Sequence, residues 1–478
     1  VRKRPFKNGQ ELEAEISDLA FGGKGIAKIP TDKGDFTLFV LNSIPGQLVR
    51  CKITKAQPTY AEASLIKVLK PGPLEVEVPY HPIPGAPYIT LPLREQIKYK
   101  KSTTMELFKR IGKVENPEAL FDEFIHSPKT YHYRNKMEYS FSAIVYNPDS
   151  GLMEDGFGLG FKHRGVWWSV DNVDGDSGIF DEEFESKLPE IRRYLQATGL
   201  PAWHAPQRNG FYRFLVVRKS YFTNQLLINF VTTDTHLHKF DIKGFVALIN
   251  TLLGNRVAGI IHTVNSGEGD RVDANFGNTN LLQGEHKINE VINGLEFEIS
   301  PSSFFQPNPK CAEKLYQKVL DYADAVGGDR NKYILDLYCG TGTIAQLLAK
   351  DAKRKVVGVD IVEDAIEDAR ANAQRNRVRN VRFFAEDVDY FLLNHPEFIE
   401  QIETIVLDPP RAGISPRALK KLITFNAKKI VYVSCNPATQ ARDTELLREA
   451  GYRLIKFSLA DQFPHTSHIE SIALFEKS

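Results

Sequence analysis

The chain has 478 residues, 42% hydrophobic and 25% charged, the balance of a soluble globular protein long enough for two to four domains. A formal net charge of +1 excludes a protein that is basic throughout, so nucleic-acid contact must come from local basic patches. Four scattered cysteines, Cys51, Cys311, Cys339 and Cys435, exclude a disulfide framework or zinc cluster; with no apolar run of signal-peptide or membrane-spanning length, they are read as marking a reducing, cytoplasmic compartment.

From Lys7 to about Lys70, short β-like runs alternate with glycine: Leu12 to Ile16, Gly25 to Ile29, Phe36 to Val40, Gln47 to Ile53 and Ala61 to Val68. Strands at this spacing predict a small barrel. Phe21-Gly22-Gly23-Lys24-Gly25 supplies a turn with an aromatic ring and a cation, and Arg2, Lys3, Arg4 and Lys7 make the entry basic. Such a surface suits phosphates and stacked bases, and it equally suits a charged, solvated barrel.

Pro71-Gly72-Pro73 reads as a linker, and Pro79, Pro82, Pro84, Pro87 and Pro92 keep the next stretch extended. Leu93 to Val114 is predicted as a helix, with Ile97, Met105, Leu107, Phe108 and Ile111 on one side; Lys98, Lys100, Lys101, Lys109 and Arg110 are read as a solvated face. Between Tyr131 and Leu295 lies an α+β region. Its strands are Lys136 to Phe141, Leu159 to Lys162, Tyr212 to Arg218, Gln225 to Val231 and Val257 to Thr263, and its helices Asp181 to Thr198 and Phe240 to Leu253. Its histidines are not spaced as a metal-ligand set.

The last third changes to an alternating strand and helix pattern. Ile334 to Tyr338 runs into Cys339-Gly340-Thr341-Gly342-Thr343 and a helix from Ile344, a geometry that lets backbone approach an anionic ligand. Val356 to Asp360, Val381 to Asp387 and Thr404 to Asp408 follow, so that Asp336, Asp360, Asp387 and Asp408 each close a strand. A dinucleotide site needs only the first turn and one ribose acid. Four ordered acids fit S-adenosyl-L-methionine better, with single helix N-caps as the plainer reading of each. Ile430 to Ser434 is a buried strand that delivers Cys435 to a loop, as a candidate nucleophile or as an ordinary buried small residue.

Asp408-Pro409-Pro410-Arg411-Ala412-Gly413, Val433-Ser434-Cys435-Asn436-Pro437 and His465-Thr466-Ser467-His468-Ile469-Glu470 together resemble the RNA uracil-5-methyltransferase family that acts on 23S ribosomal RNA or the T-loop of tRNA. Ser300 to Asn308 and Tyr133 to Phe141 add to the resemblance, and the amino-terminal barrel is similar to the TRAM RNA-binding domain. The resemblance implies a multidomain α/β chain: a TRAM barrel (1–70), a central α+β domain (71–298) against whose catalytic neighbour the 93–114 helix packs, and a Rossmann-like methyltransferase domain (299–478). The latter ends in an antiparallel hairpin of Tyr452 to Phe457 and Ser471 to Phe475. By the same resemblance Cys435 attacks uracil C6, Glu470 is the general base, and Asp408 orients base and methyl donor. Gln306, Tyr338, Gly340, Thr343, Asp360, Asp387 and Asp408 line the S-adenosylmethionine site, Thr343 standing where many relatives have asparagine.

Several relatives hold a four-iron, four-sulfur cluster. The corresponding positions here are Val78, Pro84, Pro87 and Asp176, which supply no thiolate, so neither cluster nor metal is expected, and the prolines are read as stiffening that loop. The expected partner is RNA, 23S rRNA ahead of tRNA because of the barrel, with the protein a monomer and no membrane involved. Two competing readings are a methyltransferase acting on an exocyclic amine, which needs no thiol, and an RNA-binding protein with a vestigial catalytic domain.

Overall fold

The computed structural model describes residues 4–32, 34–269, 272, 278–301, 303–324, 329, 331–351 and 354–477. Arg2, Lys3 and Ser302, named above, lie outside them. The amino-terminal unit is one sheet of six strands: β1 (Glu11–Glu15), β2 (Asp18–Ala20), β3 (Lys24–Thr31), β4 (Gly34–Leu41), β5 (Leu48–Ala56) and β6 (Tyr60–Lys70), ordered β1-β5-β6-β4-β3-β2. Alternation sends Val49, Cys51 and Ile53 of β5 and Phe36, Leu38 and Val40 of β4 into one core, and the Ser17 amide donates to the Ile26 carbonyl, drawing the sheet edges together. The extra strand β2 is three residues long, too short to show as alternation in the sequence.

Helix α1 (Leu93–Arg110) follows, then α2 (Pro117–Leu120) and β7 (Phe121–Ile125). The helix stops short of Val114 because Lys113 has φ +54°, beyond the one-turn exit at Ile111. The central sheet comprises β8 (Lys136–Asn147), β9 (Leu152–Lys162), β10 (Val170–Asn172), β11 (Tyr212–Lys219), β12 (Leu226–Thr232), β13 (Val257–Val264) and β14 (Thr279–Gly284), in the order β10-β9-β8-β11-β12-β13-β14. Helices α3 (Glu182–Ala197) and α4 (Ile242–Leu253) bury Phe184, Leu188, Ile191 and Phe245, Ile249 in the same core as this sheet.

A ribbon of β15 (Ile288–Ile292) and β16 (Leu295–Ile299) leads through α5 (Pro309–Asp324) to the carboxyl-terminal sheet. That sheet holds β17 (Tyr333–Leu337), β18 (Lys355–Asp360), β19 (Val381–Ala385), β20 (Ile402–Leu407), β21 (Lys429–Ser434), β22 (Tyr452–Ala460) and β23 (Glu470–Lys477). Between them run α6 (Thr343–Asp351), α7 (Glu363–Arg375), α8 (Val388–Asn394), α9 (Pro416–Thr424) and α10 (Pro437–Glu449). The order is β19-β18-β17-β20-β21-β23-β22-β7: five parallel strands, then the antiparallel β22–β23 hairpin, and finally β7, contributed from just before the central sheet in sequence. Strands β17, β18, β20 and β21 are largely buried on both faces and accordingly rich in apolar residues, whereas the edge strand β19 leaves Arg382 exposed. Phe108 of α1 packs on Phe457 of β22 with ring centroids 4.5 Å apart, so α1 lies on the carboxyl-terminal sheet.

Candidate active site

The site sits at the carboxyl edge of the parallel strands, where loops leave the sheet. Strand β21 is buried throughout from Ile430 to Ser434, and the chain then turns tightly. The Asn436 amide donates to Ser434 Oγ (3.1 Å), Asn436 Oδ1 accepts from the Ala438 amide (3.3 Å), and Pro437 opens α10, where its missing N–H costs nothing. Asn436 Nδ2 donates to the Arg411 carbonyl (3.0 Å), tying this turn to the Asp408-Pro409-Pro410 loop. Cys435 is therefore held half-buried on a rigid elbow.

The register of the last hairpin supplies its neighbour. Ser434 of β21 pairs with Ser471 of β23, and Cys435 and Glu470 are the next residues outward on these antiparallel strands. Asp408 leaves β20 immediately after Leu407, which pairs with Tyr432 of β21. Three strand ends thus bring thiol and carboxylates together.

Their charges oppose one another. Burial, then Asp408, pushes the Glu470 carboxyl up to about 8, with Arg411 pulling the other way. Burial pushes Asp408 up to about 7; it lies deep in the cleft with one edge open to solvent. Burial, then Glu470 and Asp408, pushes the Cys435 thiol up to about 11, again against Arg411. A stability consequence follows from Glu470. Its folded pKa exceeds the unfolded value, so its contribution is full below about 4.5 and is lost as pH rises through about 8. Glu470→Gln cannot ionise; its melting temperature relative to wild type should rise across that window, checked by thermal unfolding at pH 5, 7 and 9.

The loop from Asp461 to Ile469 delivers Glu470, and it is fastened from outside the catalytic sheet. Lys100 of α1 donates to Asp461 Oδ1 (2.6 Å) and to the Phe463 carbonyl (3.0 Å); Gln96, one turn earlier, accepts from the His465 amide (2.8 Å). Tyr133 Oη donates to the Pro464 carbonyl (2.9 Å), and Tyr131 stacks on His465 at 4.5 Å. Lys100 is buried, which corrects its assignment to a solvated face, whereas Lys98, Lys101, Lys109 and Arg110 are exposed. Removing Lys100 leaves Asp461 buried and unpaired, so Lys100→Ala should cost about 3–5 kcal/mol of stability, measurable by urea denaturation, and Lys100→Met with Asp461→Leu should recover much of it.

Most of the expected cofactor residues follow the ends of β17, β18 and β19. Tyr338, at φ +64°, and Gly340, at φ +53°, turn the chain from β17 to α6, and a β-carbon on Gly340 would meet nothing within 4 Å, leaving an open cradle. The Gly340 amide donates to Asp360 Oδ2 (2.9 Å), and Asp360 Oδ1 accepts from the Val362 amide (2.9 Å). Asp387 caps α8 through the Asp389 amide (2.8 Å), so the N-cap reading also applies to it. Asp336 is fully buried against the start of α6, neither oxygen closing a regular hydrogen bond, and burial with Asp408 and Asp360 nearby raises its carboxyl well above the usual range. Thr343 is buried at the first position of α6. Gln306 is buried too, its Oε1 accepting from Gln462 Nε2 (3.1 Å) and its carbonyl from Asn135 Nδ2 (3.0 Å). An open glycine cradle beside carboxyl groups that no lysine or arginine of the described residues pairs fits a cationic sulfonium nucleoside.

Around the positions that would ligate an iron–sulfur cluster, other contacts tie the chain. Asp176 accepts from His132 (2.9 Å) and from the Gly178 amide (2.8 Å), and Tyr80 packs on Tyr131 at 4.7 Å. Hydrogen bonds and rings therefore hold this loop together with its prolines. Ligand atoms of His132, Asp176 and Glu182 lie within 4.8 Å of one another, but His132 and Asp176 already satisfy each other. With no thiolate among the four positions, an iron–sulfur cluster does not fit.

Comparison with known proteins agrees with this chemistry. Residues 278–478 match the tRNA (Uracil-5-)-methyltransferase family model, and residues 5–66 match the TRAM domain. The chain is 36% identical over 472 residues to an uncharacterized RNA methyltransferase of Clostridium tetani, covering 98% of both. It is 37% identical to one of Clostridium acetobutylicum, covering 99% of both. The crystal structure of Pyrococcus abyssi tRNA (uracil-54, C5)-methyltransferase in complex with S-adenosyl-L-homocysteine superimposes with a TM-score of 0.68 at 27% identity, over 97% of this chain and 100% of that one. The chain belongs to the TRAM-containing, S-adenosylmethionine-dependent RNA (uracil-5-)-methyltransferase family.

Proposed function

We propose that this enzyme methylates C5 of a specific uridine in RNA through a covalent bond between Cys435 and C6. The observation that carries the reading is the β21–β23 register, which sets Cys435 beside Glu470 at the edge where Asp408 also emerges. Uracil C5 is a poor nucleophile. Addition of the Cys435 thiolate to C6 moves the ring electrons to C5, dividing one hard step into two easier ones. S-adenosylmethionine supplies the electrophilic methyl group and leaves as S-adenosylhomocysteine. Glu470 then takes the C5 proton, the C5–H electrons restore the C5–C6 double bond, and the sulfur departs from C6 as thiolate. Asp408 orients the uracil, and Gln306, Tyr338, Gly340, Thr343, Asp360 and Asp387 hold the methyl donor. A stacked base is beyond reach, so the uridine is flipped or already splayed.

On this reading residues 1–70 contact RNA and 299–478 catalyse, with α1 and β7 of the 71–298 segment serving as struts of the catalytic sheet. The first substrate assignment is 23S rRNA. The Pyrococcus abyssi relative favours tRNA as the second: it is named for tRNA and aligns over its whole length with nearly all of this chain, barrel included, so the barrel does not separate the two. Mapping 5-methyluridine in both RNAs from a strain lacking the protein decides between them, the lost site naming the substrate. Lys24 of the barrel turn pairs with Glu62 (3.0 Å), so its charge is partly spent within the barrel.

A further inference from the structure

The loop that carries Glu470 is shaped by residues outside its own sheet, and the amino-terminal barrel supplies one of them. His465, midway along the loop, is a non-glycine residue at φ +66°, a conformation that persists only where the surroundings impose it. Both of its backbone groups are engaged: its amide donates to Gln96 Oε1 (2.8 Å), and its carbonyl accepts from the Tyr88 amide (3.0 Å). Gln96 Nε2 in turn donates to the Tyr88 carbonyl (2.9 Å), closing a ring of three residues. Tyr88 is buried under the barrel, where Leu19 and Ile44 share one apolar cluster with Tyr88 and Leu91.

Beyond His465 the loop bonds to itself. Thr466 Oγ1 donates to the Phe463 carbonyl (2.8 Å), and the His468 amide donates to Thr466 Oγ1 (3.1 Å). Ser467, between them, meets the barrel turn. The place a β-carbon on Gly23 would occupy lies 2.8 Å from Ser467 Oγ, 2.9 Å from Ser467 Cβ and 3.2 Å from the Tyr88 hydroxyl. A methyl group does not fit at the first two distances, and Gly23 is also at φ +79°, so both the contact and the backbone call for glycine. The Gly23 carbonyl accepts from the Asn42 amide (2.8 Å), which fastens the turn to the end of β4. The space left between turn and loop has room only for a water-sized group.

We propose that the barrel turn is a positioning element of the reaction: Gly23 braces the loop at Ser467 and so holds Glu470 in place to take the C5 proton. This rests on the function proposed above, in which Glu470 is the base. Glu470 is the first residue of β23, held on one side by its pairing with Ala460 of β22 and led into by this loop. A displaced loop therefore reaches the carboxylate at the free end of its strand. The barrel then serves the chemistry as well as contact with RNA, and a faulty brace slows the step after methyl transfer without loosening the RNA.

The test uses the full-length protein and an RNA stem-loop carrying the mapped uridine, with kcat read at saturating RNA and Kd measured separately. Gly23→Ala sets a methyl group against Ser467. Gly22→Ala, at φ +81° with nothing within 4 Å of its β-carbon, carries the same backbone cost without the collision. The kcat of Gly23→Ala should fall about tenfold below that of Gly22→Ala, with Kd within about threefold of wild type, because a small misplacement of a reacting group is costly. An adduct carrying the labelled methyl group of S-adenosylmethionine should accumulate in Gly23→Ala, a mark that general loss of stability does not produce. Ser467→Gly removes the two closest atoms, so adding it to Gly23→Ala should return most of the lost kcat. A kcat of Gly23→Ala within about twofold of Gly22→Ala, a loss confined to Kd, a lower kcat without the labelled adduct, or a double variant no faster than Gly23→Ala overturns the brace. Glu470→Gln monitors the underlying reading: a missing labelled adduct there defeats Glu470 as the base, whereas its presence with an unaltered Gly23→Ala defeats only the brace.

Discussion

Cys435→Ala abolishes methyl transfer and covalent capture together. Turnover on the mapped RNA should fall by at least about 10⁴-fold, because a nucleophile that opens the only low path leaves little behind when removed. RNA containing 5-fluorouridine should give a denaturation-resistant complex with wild type and none with the variant. Fluorine at C5 cannot leave as a proton does, so the adduct formed by methyl transfer is stranded. Cys435→Ser should be equally inert, since a hydroxyl is far harder to ionise than a thiol. The burial and neighbouring carboxylates that push the thiol up to about 11 sharpen the expectation. In the free enzyme the thiolate is scarce at neutral pH, and the cationic methyl donor and Arg411 are the groups that favour it. Capture should therefore speed up with rising pH between 6 and 9, and should require the charged donor, S-adenosylhomocysteine giving none. A methyltransferase acting on an exocyclic amine would retain activity in Cys435→Ala, and a vestigial domain would show neither turnover nor capture in wild type.

The catalytic half was legible because its chemistry is tied to strand ends. Buried parallel strands read as apolar runs, and Asp360, Asp387, Asp408 and Cys435 each sit at or just beyond one. What the sequence hid is long-range. Lys100 and Asp461 are 361 positions apart, and Tyr133 and Pro464 are 331 apart; local charge patterning could not tell the buried lysine from its four exposed neighbours in composition. Strand β7 was hidden likewise, since Phe121 to Ile125 becomes a strand only by pairing with β22. The side-chain oxygens of Asp360 and Asp387 are partly committed to backbone amides, so both carboxylates shape the turns around them.

Glu470→Gln should separate the two halves of the reaction. Addition of Cys435 to C6 and methylation at C5 need no proton from Glu470, so the variant should still bond to RNA, and the methylated adduct should accumulate on ordinary uridine RNA, where wild type shows little. Turnover should fall about 10²–10⁴-fold, the usual worth of a positioned general base. A gel-shifted, denaturation-resistant band carrying label from the methyl group of S-adenosylmethionine is the measurement; an unlabelled adduct would place Glu470 before methyl transfer and overturn the assigned role. In wild type the base must be ionised to act, and burial beside Asp408 holds it up to about 8. Release of product should therefore climb up to tenfold per pH unit below that value and level off above it. Cationic donor bound near Asp408 favours ionised carboxylates, so the limb of kcat should lie at lower pH than that of kcat/KM, which reports the free enzyme. Glu470→Gln should lose this limb in product release, while the limb of adduct formation should move to lower pH, because the thiol is relieved of a neighbouring carboxylate that holds it up.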